Sequence, residues 1–139
     1  MSAPPTNAAP AGSGTSPDGH SALFEQRPWG TFQVLDEHEA FKVKRLTVDP
    51  GQRLSYQLHH RRAEHWVVVA GEAQVTLDDV VHNLLPGQSI DIPQGSRHRV
   101  QNPAGPGGEV LIFVEVQQGD YFGEDDIVRF DDDYGRQEA

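Results

Sequence analysis

From Gly30 onward the chain is interrupted about every 6–10 residues by Gly, Pro, Asp or Asn, and the runs between are rich in Val, Ile, Leu, Phe and Thr alternating with polar residues. That rhythm has the period of a strand. Apolar positions at three-and-four spacing never persist long enough to define an amphipathic helix, so helix is expected to be minor. The predicted strands are Thr31–Leu35, Phe41–Val48, Arg53–His59, Glu64–Ala70, Glu72–Leu77, Val80–Leu84, Ser89–Ile92, Arg97–Gln101 and Val110–Val116. Many short, evenly spaced strands leave exposed edges unless the sheet closes. The expected fold is therefore all-β, a closed barrel or a sandwich.

The 139 residues fit one domain. Residues 1–22 are mainly Ala, Pro, Gly and Ser with one charge, Asp18, and have almost nothing to bury. They are predicted to form a disordered arm ahead of a domain at 23–139. With 21 acidic against 11 basic residues the net charge is −10, which argues against a nucleic-acid face or an anionic membrane as partner. The C-terminal segment 119–139 holds eight acids and two Arg, so most of the excess lies there. That segment lacks the alternating oxygen ligands and central Gly of an EF-hand loop. It is expected to be solvated, with Ile127, Val128 and Phe130 docked as a short edge strand. No run approaches the ~20 apolar residues of a membrane span, and no secretory leader pattern is present, so a cytoplasmic location is expected. Cysteine is absent, which removes disulfides, thiolate metal ligands and thiol catalysis. Metal or acid–base chemistry falls to the carboxylates and the seven His.

Two groups of residues are spaced for such chemistry. The first runs Gly51, Gln57, His59, Glu64, Gly71. Gln57 and His59 share a strand face, Glu64 opens the next strand after a turn at Arg61-Arg62, and the two Gly sit at outer bends. The second runs Gly87, Pro93-Gln94-Gly95, His98, Asn102, a tight turn followed by a strand that presents His98. Imidazole, carboxylate and amide oxygen converging on one point suit a divalent first-row metal. The proposed ligands are Gln57, His59, Glu64 and His98.

These two halves resemble the paired motifs of the cupin superfamily, which implies a double-stranded β-helix (jelly-roll) barrel with a metal inside. The commonest cupin pattern carries His where Gln57 stands, so this site would have one anionic ligand and leave the ion with net positive charge. RPWG at Arg27–Gly30, FKVKRL at Phe41–Leu46, HHRRAEHWVVVAGEAQVT from His59, and GEDDIVRF with DDDYGR from Gly123 are similar to the C-terminal cupin domain of type II phosphomannose isomerases. The similarity extends from Arg27 to Arg136. Arg61 stands where family members usually have a third His. In those bifunctional enzymes the domain follows a mannose-1-phosphate guanylyltransferase domain. No Gly-rich phosphate loop is found here, so a stand-alone domain without GTP chemistry is expected.

The resemblance implies a metal-dependent isomerase of carbohydrate metabolism, interconverting mannose 6-phosphate and fructose 6-phosphate, or a related aldose–ketose pair, through an enediol. Zinc is the expected ion, with manganese, nickel, cobalt or iron as alternatives. Arg61 and Arg62 are candidates to grip the substrate phosphate, against a solvated-turn role. Lys44 is placed inward as electrophile or proton shuttle, whereas Lys42 is read as an outward residue of an edge strand. The base is either His60 or Glu64. His65 is assigned to the surface, and Arg97 and Arg99 face away from the metal into salt bridges. Trp66 and Val68 should share the interior face of Glu64. Val67 and Val69 should face outward with Tyr56 and Leu58, an apolar face that suggests a homodimer. A non-catalytic sugar- or nucleotide-sugar-binding cupin is the competing reading. A small-molecule dioxygenase is the third, and Gln57 in place of His argues against it.

Overall fold

A computed structural model describes residues 24–135; the predicted arm at 1–22 lies outside them. Eleven strands follow one another: β1 (Phe24–Arg27), β2 (Gly30–Glu37), β3 (Phe41–Val48), β4 (Tyr56–Leu58), β5 (Arg62–Ala70), β6 (Ala73–Leu77), β7 (Val80–Leu84), β8 (Ser89–Ile92), β9 (His98–Gln101), β10 (Leu111–Gly119) and β11 (Val128–Asp131). Among the described residues no helix is long and apolar enough to cross a membrane. The strands form a six-stranded sheet in the order β1-β2-β3-β10-β5-β8 and a five-stranded sheet in the order β11-β4-β9-β6-β7. The strand rhythm predicts this all-β architecture, and the cupin resemblance implies its double-stranded β-helix form.

Alternation decides what goes inside. Along β5, Arg62, Glu64, Trp66 and Val68 are buried, and along β10 Leu111, Phe113, Glu115 and Gln117 are buried. Trp66 and Phe113 meet with ring centroids 5.0 Å apart. Trp29, Phe32, Leu46, Val48, Val75, Ile92 and Val100 complete the apolar core, and some of them also line the cavity that holds the site. The interior faces of β5 and β10 become polar towards Arg62 and Gln117, and the site lies at that polar end.

Several elements differ from expectation. Strand β1 lies outside the predicted strands because FEQR carries two charges and no apolar alternation; it is held by pairing with β2 across the Pro28-Trp29 turn. The segment predicted as strand over Arg53–His59 is strand only at β4. It meets β9 at the single pair Gln57 and His98, with Arg53 in an isolated bridge to Gln101. Strand β3 is interior, flanked by β2 and β10. Lys42 is therefore not an exposed edge residue: its side chain is 14% exposed and its Nζ lies 3.8 Å from Glu37 Oε2. Val67 and Val69 belong to the six-stranded sheet and Tyr56 and Leu58 to the five-stranded one, so they do not form one apolar face. The short edge strand expected from Val128 and Phe130 is present as β11 beside β4, with Ile127 just before it.

The turn glycines follow backbone need. Gly71, between β5 and β6, has φ +78°, and a Cβ built on it would lie 2.4 Å from the carbonyl oxygen of Val110. Gly95 has φ +82°, with open space around its Cα. Gly71→Ala should therefore destabilise the fold by more than Gly95→Ala, whose cost is backbone strain alone, about 1 kcal/mol. Urea unfolding of the two variants checks the order; equal losses would contradict the close backbone approach at Gly71.

Candidate metal centre and cavity

Two rows of side chains meet at the polar end of the barrel. In the five-stranded sheet Gln57 pairs with both His98 of β9 and Arg129 of β11, and residues directly opposite share a face. In the six-stranded sheet Glu115 pairs with both Lys44 of β3 and Trp66 of β5, while Gln117 pairs with Glu64. Together with His59 and Arg62, residues of both rows line one cavity between the sheets.

His59, Glu64 and His98 form a buried cluster whose donor atoms all lie within 4.8 Å of one another. His59 Nε2 is 3.4 Å from Glu64 Oε2, and His98 Nε2 is 3.9 Å from Glu64 Oε1. Ligands about 2.1 Å from one tetrahedral ion stand about 3.4 Å apart, so this donor set fits a metal with small adjustment. The tautomers fit as well. His59 Nδ1 donates to the Asp126 carbonyl at 2.6 Å and His98 Nδ1 to the Ser96 carbonyl at 3.0 Å, which puts the lone pair of each ring on Nε2, the nitrogen that faces Glu64. Burial pushes both imidazoles down, His59 to about 3 with the Arg62 charge adding to the effect, and His98 to about 4. Both rings are neutral at pH 7, the form that binds metals. The amide of Gln57 is held through its Nε2, which donates to Ser55 Oγ at 2.8 Å.

A cation already touches two of these donors. Arg62 donates from Nε to Glu64 Oε2 at 2.9 Å and from Nη2 to His59 Nε2 at 3.2 Å. Trp66 Nε1 bridges two carboxylates, donating to Glu64 Oε1 at 2.8 Å and to Glu115 Oε2 at 3.2 Å. Burial, and then the neighbouring Glu64 charge, raises Glu115 to about 7, so this acid exchanges its proton near neutrality.

Lys44 points inward and is 4% exposed. Its ammonium bonds Glu124 Oε2 at 3.0 Å and lies 4.1 Å from the centre of the Phe32 ring. Burial alone would raise the Glu124 carboxyl, but Lys44 outweighs it and holds that group below its ordinary range. Asp126 clamps the loop that carries His59: its carboxylate accepts the backbone N–H groups of His60 and Arg61 at 3.0 and 2.9 Å. Most acids of the segment stay exposed, as a solvated segment requires, but Glu124 and Asp126 also bind it to Lys44 and to the loop after His59 beside the cavity.

The structure brings Gln57, His59, Glu64, His98, Lys44 and Arg62 to the cavity and leaves two predicted residues outside it. His60 is exposed. Arg61 is exposed as well, pairing with Asp120 at 3.1 Å and stacking on Tyr121. Arg62 is a buried residue at the start of β5 rather than part of a solvated turn. His65 lies on the outer face and pairs with Asp91. Arg99 forms the expected salt bridge, to Asp131, while Arg97 stacks on Phe130. Glu115, Glu124 and Arg129 line the cavity without having been foreseen. The alternation of LIFVEVQQG places Glu115 in line with Leu111 and Phe113, a signal of a buried acid.

Fold and cluster together define a cupin barrel carrying a donor set suited to a divalent metal. Residues 16–132 match the family model described as mannose-6-phosphate isomerase C-terminal, and the chain belongs to that family. It is 54% identical over 110 residues to the xanthan biosynthesis protein XanB of Xanthomonas campestris, covering 79% of this chain and 23% of that protein. It is 52% identical over 110 residues to the mannose-1-phosphate guanylyltransferase ManC of Salmonella typhimurium, covering 79% of this chain and 22% of that one. The chain thus spans about a quarter of these relatives and corresponds to their C-terminal portion. An RmlC-like cupin from Shewanella frigidimarina shares the fold, with TM-score 0.62 and 24% identity, covering 73% of this chain and 86% of that one.

The pKa directions set a pH dependence for the metal-free protein. His59 and His98 gain protons near 6.5 when unfolded but only near 3 and 4 when folded, so the unfolded state binds more protons and stability falls as pH drops below about 6.5. Glu115 acts in the opposite direction, because its raised pKa lets the folded state take up a proton first as pH falls through 7. Two imidazoles outweigh one carboxyl. The urea midpoint in chelator should fall between pH 7 and pH 4, and more steeply in Glu115→Gln; a flat profile would contradict the neutral buried imidazoles.

Proposed function

We propose that the cavity is the active site of a metal-dependent sugar-phosphate isomerase acting on mannose 6-phosphate and fructose 6-phosphate or a related aldose–ketose pair. The observation that carries this is the His59, Glu64, His98 cluster sharing one cavity with Lys44, Arg62 and the near-neutral Glu115. The family match and the polysaccharide-biosynthesis relatives support the choice of hexose phosphate over other substrates.

His59, Glu64 and His98, with Gln57 as fourth donor, would hold the ion, which would supply Lewis acidity to the substrate. The remaining chemistry belongs to side chains. Isomerisation removes the C2 proton, passes through an enediol and returns a proton to C1. Glu64 is ion-paired with Arg62 and is a proposed metal ligand, and His60 is outside the cavity, so Glu115, raised to about 7 by burial and the Glu64 charge, is the carboxyl suited to carry that proton. The Lys44 ammonium stabilises the charge that develops on the enediolate oxygens. The apolar wall of Trp66, Phe113 and Phe32 keeps bulk water from the reacting carbons.

One observation favours a non-catalytic sugar-phosphate-binding barrel instead: Arg62 satisfies His59 and Glu64 without any ion. A coupled isomerase assay on metal-loaded protein separates the two. The expected result is turnover of mannose 6-phosphate with one ion per chain, and loss of both ion and turnover, about 100-fold or more, in His98→Ala that still unfolds cooperatively. Binding that survives chelation, with no turnover under zinc, manganese, nickel, cobalt or iron, would select the binding module.

A further inference from the structure

The described residues include ten Lys and Arg side chains, and nine of them rest on a carboxylate, an amide oxygen or an aromatic ring. Arg129 is the exception. Among the described residues no hydrogen bond, ion pair or ring contact engages its guanidinium, and its Nε is buried without a partner. This is costly: a buried N–H of a charged group left unpaired loses hydration with nothing in exchange. It is also avoidable in a chain with 21 acids against 11 bases, whose C-terminal carboxylates pair with Arg53 and Arg99 close by in sequence.

The place of Arg129 explains what the unpaired donor is for. Its register partner is Gln57, and Gln57 in turn pairs with His98, so Arg129 projects from the same sheet face as two of the proposed metal donors. It lines the same cavity as Arg62, whose Nη1 is likewise buried and without a partner. Two orphaned guanidinium N–H groups lining one cavity, one from each sheet, suit an oxyanion with several acceptor oxygens. Lys44 is already neutralised by Glu124, and Arg61 is outside the cavity.

We propose that Arg129, with the free Nη1 of Arg62, grips the phosphate of a sugar-phosphate ligand, fixing which end of the sugar meets the His59, Glu64, His98 cluster. This rests on reading the cavity as a sugar-phosphate site but not on its turning the sugar over. An arginine finger-hold of this kind sets affinity for the phosphate and leaves the sugar contacts intact.

Isothermal titration of the full chain with mannose 6-phosphate, inorganic phosphate and mannose tests it, using wild type, Arg129→Gln and Arg129→Lys. The expected result is that Arg129→Gln weakens both phosphate ligands about tenfold or more, leaves mannose unchanged, and is partly rescued by Arg129→Lys. The unliganded melting temperature of Arg129→Gln should equal or exceed that of wild type, since no folded-state partner is lost. Wild-type affinity for both phosphates in Arg129→Gln would overturn the assignment, as would no binding of either by wild type. A lowered melting temperature with uniform loss of all binding would make Arg129 structural and also overturn it. Arg129-dependent phosphate binding without isomerisation would keep this assignment and remove the isomerase. Turnover with an unchanged KM in Arg129→Gln would do the reverse.

Discussion

A single buried carboxylate organises the working end of this barrel. Glu64 sits 4% exposed among aromatic and aliphatic side chains, where an ionised group persists only if its oxygens are met by donors or a cation. Arg62, Trp66, His59 and His98 all converge on it. Because Glu64 lies in an apolar strand, its neighbours two residues either way, Arg62 and Trp66, share its face and supply those donors locally. The imidazoles come from the other side of the interior. The arrangement stores an anionic centre with two neutral nitrogen donors around it, which is the electrostatic requirement for holding a dication.

The C-terminal segment completes what the barrel begins. Asp126 fixes the tautomer of His59 through its carbonyl and pins the following backbone through its carboxylate, and Glu124 covers Lys44. Arg53 and Arg99 tie Asp131 and Asp133 back onto the five-stranded sheet. The acidity of this segment therefore has a structural destination: its charges are distributed over the basic groups of the barrel. One strand of the same segment, β11, delivers Arg129 to the cavity.

Much of the site was legible because strand alternation is a local property. A period of two residues placed Glu64 with Trp66 and Val68, aimed Lys44 inward, and put His98 just after the Pro93-Gln94-Gly95 turn. What could not be read was long-range pairing. Nothing local to Glu124 or Asp126 says that they meet Lys44 and His59 from across the chain. Nothing local to Lys42 reveals that its strand is flanked on both sides. Arg61 and Arg62 look equivalent as neighbours, yet one step along a strand sends one to solvent and the other into the interior. Glu115 was within reach of the same alternation rule, since it follows Leu111 and Phe113 on one face, but its charge disguised a core position. Strand β1 escaped because its only support is the hairpin with β2.

Under the proposed function this cavity moves a proton between the first two carbons of a hexose phosphate. Proton NMR of mannose 6-phosphate incubated with the metal-loaded chain in D2O tests it most directly. Fructose 6-phosphate should appear and solvent deuterium should enter at the carbon that exchanges its proton, with both lost in Glu115→Gln. Saturated binding of mannose 6-phosphate with neither product nor exchange would contradict it.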